Sequence, residues 1–297
     1  MRKTEPTFPF DLDNQTAYRD WRARKLDGYP ASAEALVVEV DNPLALNDAE
    51  CAALLGVLRK TNMVLYAART HVDDATLSLL LGEQFGLTHL DHNYLAENSG
   101  LSAITVSESG DKPQFIPYTA KALKWHTDGY YNSGSELIRA FVLHCVNDAA
   151  EGGDNALLDP EILYILLRDE NPAYVRAMQQ PDMMCIPARL DEEGIAREEA
   201  SGPVFRLDPQ SGALHTRYSA RKRNIRWKED ALSKEALACL ESLLAADLPY
   251  IFRAHLRPGM GLLCNNVLHE RSAFHDDPAH GKRLLYRARF FDRIRGT

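Results

Sequence analysis

A histidine and an aspartate stand two positions apart in Trp125-His126-Thr127-Asp128, a segment with the composition of a short strand. Side chains alternate between the two faces of a strand, so His126 and Asp128 are predicted to project to the same side. An imidazole and a carboxylate on one face can bind one metal ion together. Alone the pair is a weak signal, because chance pairs and hydrogen-bonded surface histidines are common. A third ligand from elsewhere in the chain is needed.

The best candidate for that third ligand is His269, at the end of the apolar run that follows the turn at residues 258–261. Its rivals His275 and His280 belong to a polar turn, which would fix a ligand poorly. His144, inside the run FVLHCV, is interpreted as a core histidine. Two imidazoles and one carboxylate leave the opposite face of a metal ion open, as is typical of iron(II) oxygenases. The alternatives are a metal-dependent hydrolase and a non-catalytic metal-binding sensor.

The closing segment KRLLYRARFFDRIR alternates with a period of two residues. This pattern predicts a strand that carries Arg283, Arg287 and Arg289 on one face. Three guanidinium groups on one face require anions nearby. Residues four apart on a strand are separated by about 13 Å, so Arg283 and Arg287 cannot bind one carboxylate at the same depth. We therefore expect different tasks for these two arginines.

The features follow one another as H-x-D, a long intervening segment, a histidine and an arginine strand. In this order, and in the motifs WHTDGYY, VLHERSAF and RLLYRAR, the chain resembles the taurine/2-oxoglutarate dioxygenase superfamily. This TauD/TfdA-like superfamily includes γ-butyrobetaine hydroxylase and clavaminate synthase. The resemblance runs from about Ser102 to Phe291. It implies that His126, Asp128 and His269 are iron ligands.

The resemblance also implies that Arg283 binds the distal carboxylate of 2-oxoglutarate. Arg287 matches a position that binds an anionic group of the main substrate in some members. The turn Gly152-Gly153-Asp154 matches a turn of the family, but Asn155 follows it where threonine is frequent. An amide can donate a hydrogen bond as a hydroxyl can, so Asn155 is predicted to contact the co-substrate. Cys264-Asn265-Asn266 departs from a frequent Asp-Asn pair, which leaves the support of the third ligand open.

The activity implied by the resemblance is oxidation of a substrate C–H bond with iron(II), O2 and 2-oxoglutarate, which releases succinate and CO2. Hydroxylation is expected, and desaturation and cyclisation are the alternatives. We expect a small organic acid or an amino-acid-like molecule as the substrate. Besides Arg287, the residues predicted to contact it are Tyr130, Tyr131 and Arg217.

The fold is predicted to be mainly β with helical additions. Short apolar or β-branched runs separated by turn residues follow Leu101, a texture typical of a sandwich or barrel. The expected architecture is a double-stranded β-helix, the jelly roll seen in relatives of clavaminate synthase. We expect a single elaborated domain, with an α/β elaboration over residues 1–100 and a catalytic core over 101–297. A helical insertion is expected at about 160–250, and an irregular arm over the first 35 residues or so.

The composition excludes several other classes of protein. A formal net charge of −8 gives no electrostatic footprint for nucleic acid. The five cysteines are scattered and form no C-x-x-C motif, which favours a reducing compartment. The sequence shows neither a signal peptide nor an apolar run of membrane-spanning length. We therefore expect a cytoplasmic enzyme of small molecules, with homo-oligomerisation left open.

Overall fold

A computed structural model describes residues 9–297, except for 71, 93–99, 109, 111, 133, 192–193, 209–210 and 222. The chain divides into two compact units. The helical unit contains the residues up to Pro30 together with Pro160–Leu248, and the sheet unit contains Ala31–Asp159 and Pro249–Thr297. Within the described part of the chain, every helix is too short or too polar to span a bilayer. The prediction of one elaborated domain stays a prediction.

The elements alternate irregularly along the chain. The helices are α1 (Gln15–Leu26), α2 (Asp48–Thr61), α3 (Leu77–Gln84), α4 (Pro160–Glu170), α5 (Pro172–Met178) and α6 (Ala231–Ala245). The strands are β1 (Val37–Val40), β2 (Met63–Ala68), β3 (Ser102–Ile104), β4 (Leu123–His126), β5 (Ala140–Asn147), β6 (Glu151–Gly152), β7 (Asn155–Leu158), β8 (Met184–Ile186), β9 (Arg189–Asp191), β10 (Gly194–Arg197), β11 (Ala200–Gly202), β12 (Phe205–Leu207), β13 (Leu214–Thr216), β14 (Arg226–Trp227), β15 (Phe252–Ala254), β16 (Met260–Cys264), β17 (Leu268–Arg271), β18 (Phe274–His275) and β19 (Leu284–Phe290).

Two sheets dominate the sheet unit. The larger one has the order β1-β2-β16-β5-β19-β3, and the smaller one has the order β15-β7-β17-β4. β1 runs parallel to β2, and the other neighbouring strands in both sheets are antiparallel. β6 and β18 form a separate short pair. The prediction of a mainly β fold with added helices is confirmed in this form.

Helix α2 begins and ends at residues whose types suit those positions. Asn47 and Glu50 form a reciprocal capping box at its start, which satisfies backbone N–H groups that the first turn leaves without partners. Asn62 ends the helix in the left-handed conformation with φ 59°, a role suited to asparagine. Leu54 and Leu58 are buried on the face that packs into the main core.

The two faces of β19 have different environments, as the period-two pattern predicts. Ala288 and Phe290 belong to the apolar core that also contains the buried side chains of α2 and α3. Helix α3 approaches closely at Gly82, where a Cβ atom would lie 2.7 Å from the Phe290 ring. Arg287 and Arg289, on the opposite face, are also buried. Their charges therefore need partners inside the protein.

The helical unit corrects the expectation of an irregular N-terminal arm. Residues Gln15–Leu26 form α1, and Asn14 caps its first turn. The buried guanidinium of Arg168 on α4 lies 3.8 Å from the centre of the Tyr18 ring and donates to the carbonyl oxygens of Pro9 and Asp11. Because the arm has few apolar residues of its own, its structure depends on these contacts rather than on a periodic pattern.

Candidate metal centre

Two histidines face each other across the smaller sheet. In the antiparallel pair of β4 and β17, His126 lies directly opposite His269. Their ring centroids are 4.1 Å apart, and the ring of Phe141 lies 4.9 Å from that of His269. Directly opposed residues of antiparallel strands project from the same face of the sheet. The sheet therefore brings together two imidazoles that are far apart in the sequence.

Asp128 completes a group of three donors. Its Oδ1 lies 3.8 Å from Nε2 of His126. One ligand atom from each of Asp128, His126 and His269 can be chosen so that all lie within 4.8 Å of one another, and all three residues are buried. Among the described residues, no other group of three or more His, Cys, Asp or Glu side chains meets that condition. Two nitrogen donors and one oxygen donor at this spacing fit a divalent transition metal ion.

The hydrogen bonds of both histidines favour the protonation state that a metal ion needs. Nδ1 of His126 donates to the carbonyl oxygen of Lys124 at 2.8 Å, and Nδ1 of His269 donates to that of Val267 at 3.0 Å. The lone pair of each ring therefore resides on Nε2. Burial, with a contribution from His269, lowers the pKa of His126 to about 3. Burial also lowers the pKa of His269, so both rings are neutral at physiological pH.

The carboxylate of Asp128 is held by Arg287. Nη1 of Arg287 lies 3.1 Å from Oδ1 and 3.0 Å from Oδ2 of Asp128. Burial alone would raise the pKa of Asp128, but Arg287 and then Arg289 outweigh it and hold that pKa well below its usual range. Asp128 is therefore ionised without a metal ion present, as a ligand must be.

The main chain around Asp128 is held by Asn266. Its Oδ1 accepts a hydrogen bond from the Asp128 N–H at 2.8 Å, and its Nδ2 donates to the Asp128 carbonyl oxygen at 2.9 Å. Nδ2 also donates to the carbonyl oxygen of Ile138 at 2.6 Å. Asn266 has φ 49°, a conformation that asparagine tolerates better than most residues. It thus provides support that the sequence left open.

A second buried arginine links three segments close to the triad. Nη1 of Arg289 donates to the hydroxyl of Tyr131 at 3.0 Å, and Nη2 forms an ion pair with Asp91. The main chain adds a bond, because the N–H of Asp91 donates to the Arg289 carbonyl oxygen at 2.8 Å. The Tyr131 ring also packs edge-on against Tyr130, with centroids 5.3 Å apart. Arg289 therefore fixes an aromatic pair that begins two residues after Asp128.

The side chains of Arg283 and Asn155 are also buried. The guanidinium of Arg283 lies beside the Phe274 ring, 5.1 Å from its centre. Burial lowers the pKa of Arg283. The Cβ position of Gly153 lies 3.2 Å from Nε of Arg283, so a side chain there would crowd the guanidinium. Nδ2 of Asn155, on β7, has no hydrogen-bond partner among the described residues. Buried donors of this kind are expected to have an acceptor.

A sequence profile described as "Taurine catabolism dioxygenase TauD, TfdA family" matches residues 22–289. The chain belongs to this family. It is therefore an oxygenase that depends on iron(II), 2-oxoglutarate and O2. The resemblance predicted from the three motifs is confirmed.

The relatives of this oxygenase are named after different substrates. Uridine-5'-phosphate dioxygenase from a Streptomyces species is 31% identical over 190 residues, which cover 62% of this chain and 67% of that protein. The structure of asparagine oxygenase, in complex with Fe(II), 2S,3S-3-hydroxyasparagine and succinate, is 15% identical with a TM-score of 0.58, and the match covers 82% of this chain and 79% of the other. A taurine dioxygenase from Burkholderia xenovorans is 18% identical with a TM-score of 0.56, covering 86% and 87%. Both of these structures have the fold of this chain.

Arg217 of the oxygenase has a different environment from the one predicted. It lies in the helical unit, where its buried guanidinium donates to the carbonyl oxygens of Met184 at 2.9 Å and Ala200 at 2.7 Å. A third, longer bond reaches Gly202 at 3.4 Å. These contacts hold β8 and β11 together and give Arg217 a structural role, and its predicted contact with substrate stays a prediction.

The rival histidines lie apart from the triad of donors. His275 is exposed on β18, and Nε2 of His280 is paired with Asp148 at 2.9 Å. His144 is fully buried between the hydroxyl of Tyr66 and the carbonyl oxygen of Val72, as its apolar surroundings predicted.

Three residues near the centre were missed or left without a role by the sequence: Asn266, Arg289 and Asp91. The double asparagine before the ligand strand was the only signal for Asn266. The alternation of β19 placed Arg289 on the same face as Arg287, but nothing indicated its partner. Asp91 had no signal, because it lies in an irregular segment far from every motif.

Proposed function

We propose that His126, Asp128 and His269 hold the iron(II) of this oxygenase. One observation supports the assignment above all: these three buried side chains converge with two Nε2 lone pairs and an ionised carboxylate directed to one place. The bound iron, with 2-oxoglutarate and O2, supplies the oxidising power for C–H oxidation. The protein provides a ligand set that leaves positions open and hydrogen bonds that fix the tautomer of each ring.

We propose that Arg283 and Asn155 bind the distal carboxylate of 2-oxoglutarate. Both side chains are buried, and Nδ2 of Asn155 has no hydrogen-bond partner among the described residues. A carboxylate would satisfy the guanidinium through charge-assisted bonds and the amide through one more. The Phe274 ring packs beside Arg283, which restricts the guanidinium and excludes water from one side.

We infer that the two main sheets form the double-stranded β-helix expected from the sequence. The larger sheet contains the run β16-β5-β19-β3, and the smaller contains β15-β7-β17-β4. In chain order, the eight strands of these two runs are β3, β4, β5, β7, β15, β16, β17 and β19. Successive strands alternate between the two sheets, except that β7 and β15 both belong to the smaller one. This order of eight strands is that of two Greek keys in a jelly roll. The triad would then lie on the inner face of the smaller sheet.

We propose a small anionic molecule, an organic acid or an amino-acid-like compound, as the substrate, and hydroxylation as the reaction. Tyr130 and Tyr131 adjoin the triad in sequence and can supply apolar contact and hydroxyl groups. A nucleoside 5'-phosphate is a second candidate, since the relative at 31% identity is named a uridine-5'-phosphate dioxygenase. The cytoplasmic location and the number of copies in the assembly stay predictions.

The test is iron-dependent formation of succinate from 2-oxoglutarate by the purified protein. Small carboxylates, amino acids and nucleoside 5'-phosphates are then screened for stimulation of succinate release. Anaerobic protein with iron(II) and 2-oxoglutarate should also develop the weak visible absorption of the bound co-substrate. A sensor would give the absorption without succinate, and a hydrolase would give neither. Failure of His269→Ala to remove both signals would refute the ligand assignment.

A further inference from the structure

The contact between Arg287 and Asp128 suggests a role for Arg287 that differs from binding a substrate anion. One nitrogen of the guanidinium, Nη1, lies within 3.1 Å of both oxygens of the carboxylate. The side chains are 10% and 5% exposed, so water screens the pair little. Arg287 therefore acts on the carboxylate that we propose as an iron ligand.

The position of Arg287 between two neighbouring strands restrains this contact. Arg287 lies in β19, between β5 and β3, directly opposite Leu143 on one side and Ser102 on the other. Nε of Arg287 is buried and has no hydrogen-bond partner among the described residues. The guanidinium is thus confined by neighbouring strands and makes its short bonds to Asp128. An arginine so confined is suited to fixing the orientation of its partner.

We propose that Arg287 is a positioning residue for the metal-ligand carboxylate of Asp128, an inference that rests on the proposed function. By hydrogen bonding from the side, Arg287 limits the rotation of the carboxylate. Because both oxygens bond to the same nitrogen of Arg287, the carboxylate would present its remaining lone pairs to a metal ion in one fixed orientation.

The affinity for a divalent ion distinguishes positioning from a purely electrostatic effect. Removing a positive charge from beside the site reduces repulsion and, by itself, should strengthen the binding of a cation. Loss of orientation acts in the opposite direction, because outer contacts of ligands typically contribute 10–100-fold in metal affinity. Loss of Arg287 would also raise the pKa of Asp128, and a fall in affinity from that cause would disappear as the pH is raised. A fall in affinity on neutralising Arg287 that persists at higher pH is therefore specific to positioning. A residue that only binds substrate would leave the affinity unchanged or increased.

The experiment measures the affinity for Co(II), without 2-oxoglutarate, by calorimetry on wild-type protein, Arg287→Gln and Arg287→Lys. We expect Arg287→Gln to weaken Co(II) binding by about 10–100-fold. Arg287→Lys keeps the charge and one donor but not the planar fork, and should lose about 3–10-fold. Arg168→Gln is the control: it neutralises a buried arginine that donates to main-chain carbonyl oxygens and makes no bond to Asp128, so its Co(II) affinity should equal that of the wild type.

Unchanged or tighter Co(II) binding by folded Arg287→Gln would overturn the proposal. If circular dichroism shows that this variant does not fold, Arg287→Lys decides, and wild-type affinity in folded Arg287→Lys overturns it. His269→Ala separates this result from failure of the proposed function. If His269→Ala binds Co(II) as tightly as the wild type, the ligand assignment itself is wrong. If His269→Ala loses the ion and Arg287→Gln does not, only the role of Arg287 fails.

Discussion

Asn266 holds Asp128 at both polar groups of its main chain, accepting from its N–H at 2.8 Å and donating to its carbonyl oxygen at 2.9 Å. The two residues are 138 positions apart in the sequence. Arg287 holds the side chain of the same aspartate. The main chain of Asp128 is thus held by the segment between β16 and β17, and its side chain is held by β19.

Replacing Asn266 by alanine should weaken both folding and the metal site. The change leaves the polar groups of Asp128 and the Ile138 carbonyl oxygen without partners, and places alanine at φ 49°. We expect a loss of about 2–4 kcal/mol in the free energy of unfolding, measured with urea. Co(II) affinity of the folded protein should fall as well.

The control for Asn266 is the preceding residue. Asn265 bonds to Asn62, Thr297 and the N–H of Ile294, and makes no bond to Asp128. Asn265→Ala should therefore reduce stability and leave Co(II) affinity intact. Equal losses of affinity in the two variants would contradict the specific role of Asn266.

Alanine variants of the three proposed ligands should differ in stability although all lose the metal. His126→Ala and His269→Ala remove neutral rings and should fold. Asp128→Ala leaves the guanidinium of Arg287 buried without its anion, which costs about 3–5 kcal/mol. Thermal unfolding and Co(II) titration measure the two properties. His275→Ala is the control, because that side chain is exposed, and it should match the wild type in both.

Replacing Arg283 by glutamine should act on the co-substrate alone. Loss of the proposed charge-assisted bonds should weaken 2-oxoglutarate binding by about 1.5–3 kcal/mol, measured from the concentration dependence of succinate release. Asn155→Ala should have a smaller effect, of about 0.5–1.5 kcal/mol. The two losses should be unequal and in that order. If Arg283→Gln and Arg287→Gln lose the same amount of 2-oxoglutarate affinity, the two arginines do not have different tasks.

The proposed ligands could be predicted because each depends on a local pattern. Strand parity predicted that His126 and Asp128 share a face; β4 ends at His126, and the turn that carries Asp128 still brings Oδ1 to 3.8 Å from Nε2 of His126. His269 ends an apolar run, which predicts a buried and well-fixed side chain. The β19 arginines were likewise predicted by alternation. Period-two patterns give the direction of a side chain without knowledge of its neighbours.

The partners of these residues could not be predicted, because they depend on which strands lie side by side. The bond from Arg287 to Asp128 spans 159 positions in the sequence. A substrate anion and a buried carboxylate are equivalent partners for an arginine until the strand order is known. Helix α1 was missed for a related reason: it is too polar to have a periodic apolar face, and contacts with Arg168 stabilise it.

Arg217 offers a test of a structural role. Arg217→Gln should leave the carbonyl oxygens of Met184 and Ala200 without strong donors and lower the free energy of unfolding by about 2–4 kcal/mol. Succinate formation in the absence of primary substrate, per folded molecule, should not change. Arg221→Gln, at an exposed arginine in the same unit, should leave stability within about 0.5 kcal/mol of the wild type. A normal stability for Arg217→Gln would restore a role in substrate binding.

The ion pair between Arg289 and Asp91 should show strong coupling in a double-mutant cycle. Both side chains are buried, at 5% and 10% exposure, so removing one partner leaves the other charge inside the protein. We expect Arg289→Gln and Asp91→Asn each to cost about 3–5 kcal/mol in unfolding free energy. In the double variant no charge remains unpaired, and the total loss should be at least about 1.5 kcal/mol less than the sum of the single losses.

The hydroxyl of Tyr131 gives the internal comparison for that cycle. Tyr131→Phe removes one neutral acceptor from Arg289, and the guanidinium keeps its ion pair with Asp91. The expected loss is about 0.5–1.5 kcal/mol, well below that of Asp91→Asn, since a carboxylate compensates a buried cation and a phenol does not. Urea unfolding of metal-free protein measures all these variants in the same state. If the losses in unfolding free energy of Arg289→Gln and Asp91→Asn add up within about 0.5 kcal/mol, water reaches the pair. Arg289 would then not link Asp91 to the segment that carries the proposed metal ligands.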